Sequence, residues 1–596
     1  MKKRGRLSLV LALVLALAAV LGACATPTEE DISGIASSLE EALTVDIYFE
    51  NGVIYTADDK DSMAEALAIQ DGEIVFVGSA ADGVLYKEAA AEVVDLEGKM
   101  MMPGLIDGHI HSLSPDFFDF SLVGILTKED TMAAIESYVQ ENPDKETYFG
   151  YGYMATVFEG EELTEGPKKE RLDEICPDKP MVIYSYDGHA AWLNTKALAY
   201  CGITAETEST PGGSIVKDNN GELWGILHDS AMSFTGDFPL DQETVKTALK
   251  EYMYYLNSLG YTSIMTPPGN GFFPVPFDAY QAMADNNELS MRVRGAGIIT
   301  SWNVEEDLKT LAKLQQQYNS GQVQVIGAKL FMDGVMDNES AFLLQPYVDK
   351  PDYYGVAGWE IEALNQAVYA VNEMGLLAHI HSMGDAATRA CLDAFEYSQG
   401  KLGSNEFRNA LTHLQLINKE DIPRFRELGI VAVTDPYWHY KAPFYWEEKE
   451  HAVLGERAEH MYPMRSFVEN DVALAFASDF PVTPLPNPFI AIETGVTRNL
   501  ADGAEYDLPN ITDMDAPDYL LWPEERLEVM QMLRGYTIGG AYSMFVEDET
   551  GSLEVGKSAD MIIIDQNLLT VAPLEIKDTL VLGTYFAGQL VYSAQE

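Results

Sequence analysis

Cysteine is scarce, with four in 596 residues; Cys24 closes the N-terminal apolar run, which leaves Cys176, Cys201 and Cys391 for the body of the chain. An odd number of thiols in so long a chain excludes a disulfide framework as the organiser of the fold, and nothing supports a Cys176 to Cys201 bridge. Basic residues are also few, 38 against 94 acidic, for a net charge of -56. That charge repels nucleic acid and anionic lipid surfaces, so a nucleic-acid partner is excluded and a solvated body is expected. A salty habitat or an attraction for cationic substrates would leave the same signature. No internal repeat is evident. A membrane-spanning run is missing at the N-terminus too: Leu7 to Leu21 is almost wholly apolar, but its length of about 15 falls short of the roughly 20 residues a spanning helix needs.

What stands there instead is a leader. Lys2, Lys3, Arg4 and Arg6 precede the apolar stretch, as the charged segment of an export signal does. The stretch ends in Leu21-Gly22-Ala23-Cys24, which resembles the lipobox of bacterial lipoproteins. The resemblance implies a signal peptide over 1–23, lipidation of Cys24, a polar tether over 24–43 and an extracytoplasmic protein anchored to the membrane. An ordinary cleaved signal that releases a soluble protein is the alternative.

With 47% apolar residues the chain can fill a large core and a second module. Residues 44–101 read as short β runs with turns: Ile47 to Thr56, Ala66 to Ile69, Ile74 to Gly78 after Asp71-Gly72, and Glu92 to Leu96. Residues 551–596 read alike, through Met561 to Asp565, Leu580 to Phe586 and Gln589 to Tyr592. The two ends are therefore expected to pair into one small β-sandwich. Between them, over 102–550, lie eight strand candidates: 102–110, 260–266, 291–299, 323–331, 375–381, 409–414, 429–434 and 472–478. Helical stretches with apolar residues three and four apart alternate with them, as in Ile361 to Met374, Ala386 to Tyr397 and Lys419 to Leu428. Strand alternating with helix eight times predicts an α/β fold of the TIM-like (β/α)8 barrel type. The gap from about 112 to 258 is too long for one crossover and is expected to be an insertion after the first strand, over the barrel mouth.

Polar residues able to do chemistry collect at the ends of these strands. His109 and His111 close Pro103-Gly104-Leu105-Ile106-Asp107-Gly108-His109-Ile110-His111, where strand alternation would put both imidazoles on one face. His381 ends the fifth candidate, His413 the sixth and Asp479 the eighth, and Lys329 lies late in the fourth. Active sites of barrels form at those C-terminal ends. Each residue also has a plain structural reading: a core histidine bonded to a carbonyl, a lysine paired with Asp333, an aspartate capping a helix.

The order His-x-His, Lys, His, His, Asp on strands one, four, five, six and eight resembles the amidohydrolase superfamily with a two-metal site. More narrowly, Asp187-Gly188-His189, Lys329 to Gly334, His381 to Asp385 and Gly551 to Asp560 resemble the third amidohydrolase family, which includes N-substituted formamide deformylases. The resemblance implies two divalent ions, of which Zn2+ suits imidazole and carboxylate ligands. His109, His111 and Asp479 would hold one and His381 and His413 the other. Lys329 would bridge them as the carbamate formed with carbon dioxide, because an ammonium has no acceptor for a cation. Asp479 would serve as base and then acid in hydrolysis of a non-peptide carbon-nitrogen bond of a small amide, formamide or cyclic amide. Asp187 and His189 are candidates for substrate contact. A turn with a helix cap is the alternative for them, and His228 is open to the same two readings, whereas His439, His451 and His460 read as loop residues. A mononuclear deaminase and an exported solute-binding lipoprotein on the same scaffold are the rival readings, and a homo-oligomer is compatible with all of them.

Overall fold

A computed structural model describes residues 44–594, apart from 113–116, 187–189, 211–212, 236–241, 269–274 and 337–338. The export signal, Cys24 and the tether, and also Asp187 and His189, lie outside the described residues.

Eight parallel strands make the central sheet, and we number them in chain order: β1 Leu105–Asp107, β2 Tyr261–Thr266, β3 Arg292–Ile298, β4 Val323–Phe331, β5 Leu377–Ser382, β6 Ala410–His413, β7 Val431–Thr434 and β8 Ala473–Phe476. Each pairs with the next, from β1 through β8. The two outer strands then meet: Gly108 N–H donates to Phe476 O at 2.8 Å and Asp479 N–H to His109 O at 2.9 Å. The result is a TIM-like barrel. Its strands read as near-continuous apolar runs, such as Val431-Ala432-Val433, because helices cover the outside and side chains fill the inside. The helix Ile361–Glu373 shows the outer packing, burying Leu364, Ala367, Val368 and Val371, one stripe of a 3.6-residue period.

Ladder register sets the height of each interior side chain. Lys329 pairs with His379, while Phe331 pairs with His381 and His381 with Thr412. Partners across a ladder share a face, so Lys329 and His379 occupy one interior layer and His381 the layer above, toward the mouth.

Both chain ends join in one eight-stranded sheet, through Met100–Pro103 pairing antiparallel with Met561–Ile564. The sheet rolls onto itself: Phe49, Leu67 and Ile74 from its N-terminal part share a buried cluster with Met561 and Tyr585 from its C-terminal part. A buried ion pair between Arg292 on β3 and Asp560, whose side chain has no exposure, ties this module to the barrel.

The first candidate strand, 102–110, divides. Met100–Pro103 belongs to the terminal sheet and Leu105–Asp107 to the barrel. Gly104 makes the passage, since a Cβ there would stand 2.3 Å from the Thr262 side chain. Between β1 and β2 a six-stranded sheet, Phe120–Ser121 to Leu223–Asp229, carries its own core on both faces. Val182, Tyr184 and Leu193 pack on one face, and Met181, Ile183 and Trp192 on the other. The last part of the expected insertion behaves differently. Gln242–Ser258 is a helix whose Val245, Leu249, Tyr252 and Leu256 share the barrel's core with Ile264 of β2. Among the described residues, Cys176, Cys201 and Cys391 form no disulfide.

Candidate metal centre

β1 stops at Asp107, so His109 and His111 stand in the segment beyond the strand rather than within it. Strand alternation therefore does not bring them together; hydrogen bonds across the barrel seam do. Asp107 Oδ1 accepts from the backbone N–H of His109 and from that of Ser478, each at 3.1 Å. One buried carboxylate oxygen thereby holds the segments that carry His109, His111 and Asp479. Asp479 lies three residues past β8, with φ of 52°, and His413 ends β6 with φ of 74°. Such left-handed positions are uncommon outside glycine and collect where a site over-determines them.

The geometry around Asp479 is close. Its Oδ1 lies 3.1 Å from His111 Nε2 and 3.4 Å from His109 Nε2. These three ligand atoms lie within 4.8 Å of one another. Asp479 Oδ1 is buried and accepts no hydrogen bond. Buried polar atoms of that kind call for a partner, and a cation is one that two imidazole nitrogens and a carboxylate oxygen can serve together. The far sides of the rings agree. His111 Nδ1 faces the Pro267 carbonyl at 3.2 Å; a carbonyl only accepts, so Nδ1 bears the proton and Nε2 presents a lone pair. His413 Nδ1 meets Asp435 Oδ2 at 2.9 Å, with the same consequence. The donor set thus fits a divalent ion.

The other expected residues gather around this point. Lys329 Nζ lies 3.3 Å from His109 Nε2 and above the Phe331 ring. The His109 and His413 rings are 5.2 Å apart, and those of His381 and His413 4.6 Å. The pairing of Lys329 with Asp333 does not form. Asp333 turns away and accepts the backbone N–H groups of Phe342, Met383 and Gly384, which shapes the loop after His381. His381 Nε2 faces Gly334 O at 3.3 Å.

Burial dominates the electrostatics. Desolvation lowers the Lys329 amine to about 7, against the pull of Asp479 and Asp435. Burial, with Lys329 nearby, holds His109 well below the ordinary histidine range. Burial would raise Asp479, but His109 and His111 hold it well below the usual carboxylate range. His109 is therefore a neutral imidazole and Asp479 an ionised carboxylate, the protonation states that metal binding requires.

Several contributors were passed over in the sequence. His379, Asp435 and Asp107 each touch a candidate ligand or its backbone. Trp438, just past β7, stacks on His413 at 5.5 Å and donates its Nε1–H to Thr483 Oγ1 beyond β8. A signal for two of them was present: His379 is the first half of a second His-x-His, and Asp435 follows its strand much as Asp479 does. His439 is buried and stacked on Tyr462. His451 and His460 pack on Trp446 and Trp522, and His228 is the register partner of Ala190 in the inserted sheet.

Known proteins match most of the chain. Protein LONG AFTER FAR-RED 3 of Arabidopsis thaliana is 29% identical over 92% of this chain and 92% of its own length. N-substituted formamide deformylase of Arthrobacter pascens is 25% identical over 92% of this chain and 98% of its own. A metal-dependent hydrolase of Pyrococcus furiosus, uncharacterized, shares the fold with a TM-score of 0.65 at 24% identity, covering 88% of this chain and all of that one. Residues 92–592 match the amidohydrolase family, and the chain belongs to that family.

Proposed function

We propose that the chain hydrolyses a non-peptide carbon-nitrogen bond in a small amide, formamide or cyclic amide, and does so outside the cytoplasm, tethered through a lipid on Cys24. The observation that carries this reading is the buried, unpartnered Asp479 Oδ1 between the Nε2 atoms of His109 and His111. That a relative is an N-substituted formamide deformylase supports the bond class.

His109, His111 and Asp479 would hold one divalent ion of the Zn2+ type, and His381 and His413 a second. Such ions supply Lewis acidity, which draws the pKa of water from near 16 toward about 7 and polarises a carbonyl. Lys329 would join the two sets as a carbamate: its neutral amine adds to carbon dioxide, an N–C bond forms, one proton leaves, and two oxygens become available. An amine lowered to about 7 is about half neutral at neutral pH, where an ordinary lysine is almost wholly charged, which supports this assignment. Asp479, held ionised, would take the proton of the attacking water and return it to the departing nitrogen. Trp438 would wall the mouth beside His413. Asp187 and His189, in the inserted segment, remain the proposed substrate contacts.

Elemental analysis of protein purified without chelator tests this, with Lys329→Ala and Asp479→Asn alongside. Close to two ions per chain, falling in Lys329→Ala, together with amide or formamide turnover lost in Asp479→Asn, is the expected result. One tightly bound ion unaffected by Lys329→Ala would favour a mononuclear site, which the compactness of the His109, His111 and Asp479 group also suits. No metal under any loading condition would overturn the reading.

A further inference from the structure

We propose that His379 is a positioning residue for the metal centre, the group that turns His109 Nε2 toward the ion; this rests on His109 being a ligand, as argued above. His379 Nε2 lies 2.7 Å from His109 Nδ1, and the two rings are within 6° of parallel at 4.9 Å. At that distance the atoms share one proton, so one nitrogen donates and the other accepts. His109 Nε2 faces Asp479 Oδ1 and Lys329 Nζ. If it is to meet a cation it must keep its lone pair, so the His109 proton belongs on Nδ1 and His379 Nε2 accepts it.

Placement argues that His379 itself is not a ligand. It shares its ladder level with Lys329, one layer below His381, and is 2% exposed. Its Nε2 is already engaged with His109. The His-x-His of β5 thus divides its labour by height: the upper histidine reaches the mouth, while the lower one stands behind a histidine of another strand.

The choice of an imidazole here has a physical reason. His413 is backed by a carboxylate, Asp435, whereas His109 already has the Asp479 carboxylate on its metal-facing side. A further anion behind His109 would bury more uncompensated charge in the barrel interior, and a neutral acceptor fixes the tautomer without adding one.

Two variants that differ by one methylene test this. His379→Gln sets its amide oxygen about where the histidine Nε2 lies, and His379→Asn falls short of His109. Metal dissociation constants would be measured by competition with a chromophoric chelator, and thermal unfolding of the chelator-treated proteins would be followed in parallel. Losing an orienting partner costs about 10- to 100-fold in metal affinity; that loss is expected in the asparagine variant, with the glutamine variant within about threefold of wild type. Equal affinity in all three proteins, with only the metal-free unfolding temperature changed, would overturn the proposal and leave His379 as a packing residue. Equal, severe loss in both variants would overturn it in favour of direct ligation. If wild type itself binds no metal, the reading of the centre fails instead, so the two failures are distinguishable.

Discussion

Replacing Asp107 by asparagine and by leucine separates hydrogen bonding from charge at the seam between β1 and β8. Both seam donors, the N–H groups of His109 and Ser478, go to the same oxygen, Oδ1, while Oδ2 has no partner. Asparagine can keep both bonds with its carbonyl oxygen. Leucine leaves two buried donors unmade at about 1–3 kcal/mol each, so it should be roughly 2–6 kcal/mol less stable than asparagine at any pH. Charge acts in the other direction. Burial pushes the Asp107 carboxyl up to about 7 from 3.8. Between those values the folded protein holds a proton that the unfolded chain has released, so this group's contribution to stability falls as pH rises through the window. Three pKa units correspond to an upper bound of roughly 4 kcal/mol. Asp107→Asn should therefore match wild type near pH 4 and exceed it at pH 8, whereas Asp107→Leu should also lose metal, because His109 and Asp479 are released together. The assay is urea unfolding of chelator-treated protein at both pH values, with metal content of the untreated proteins. An asparagine variant as damaged as the leucine variant would refute the reasoning, since it would make the charge itself the seam's holder.

The Arg292 and Asp560 pair invites a double-mutant cycle: Asp560→Leu alone leaves the buried guanidinium with only Glu549, at 3.4 Å, and should cost up to about 3–5 kcal/mol, while adding Arg292→Met should recover part of it. Additive costs by denaturant unfolding would show that the pair is not coupled. Glu493 is buried, accepts Lys577 N–H at 2.9 Å, and is pushed by burial up to about 7. Its burial penalty is absent below pH 4.5 and complete above 7, so Glu493→Gln should raise the unfolding temperature relative to wild type at pH 8 and leave it unchanged near pH 4, and equal effects at both would contradict the linkage. A Cβ at Gly384 would stand 1.9 Å from Phe342 O, so Gly384→Ala should cost about 1–3 kcal/mol or more and loosen the loop after His381. An alanine variant with unchanged melting and unchanged metal affinity would argue against that crowding.

How much was legible follows from which interactions are local. Short apolar runs and period-3.6 apolar patterns depend on neighbours a few residues away, so all eight barrel strands could be placed near their true positions, and so could the pairing of the chain ends. The polar residues at strand ends were legible for the same reason, since a TIM-like barrel gathers its C-terminal ends at one mouth. Boundaries were less so. Nothing local says that Met100–Pro103 leaves for the terminal sheet at Gly104, because the cause is the Thr262 side chain some 160 residues away in the chain. The helix Gln242–Ser258 looks the same whether it packs on an insertion or on a barrel.

The sequence by itself determined the repertoire: an acidic chain poor in thiols, alternating strands and helices, and His, Lys and Asp at the strand ends. The tertiary structure alone decided the contacts. It bonded Asp107 Oδ1 to Ser478, 371 residues away, put His379 behind His109 across 270 residues, and gave Asp435 to His413 rather than Asp333 to Lys329. The physical reason is that a buried polar atom takes whichever partner the packed barrel brings within hydrogen-bond reach, and that choice is made by ladder register and seam closure, which no single segment contains.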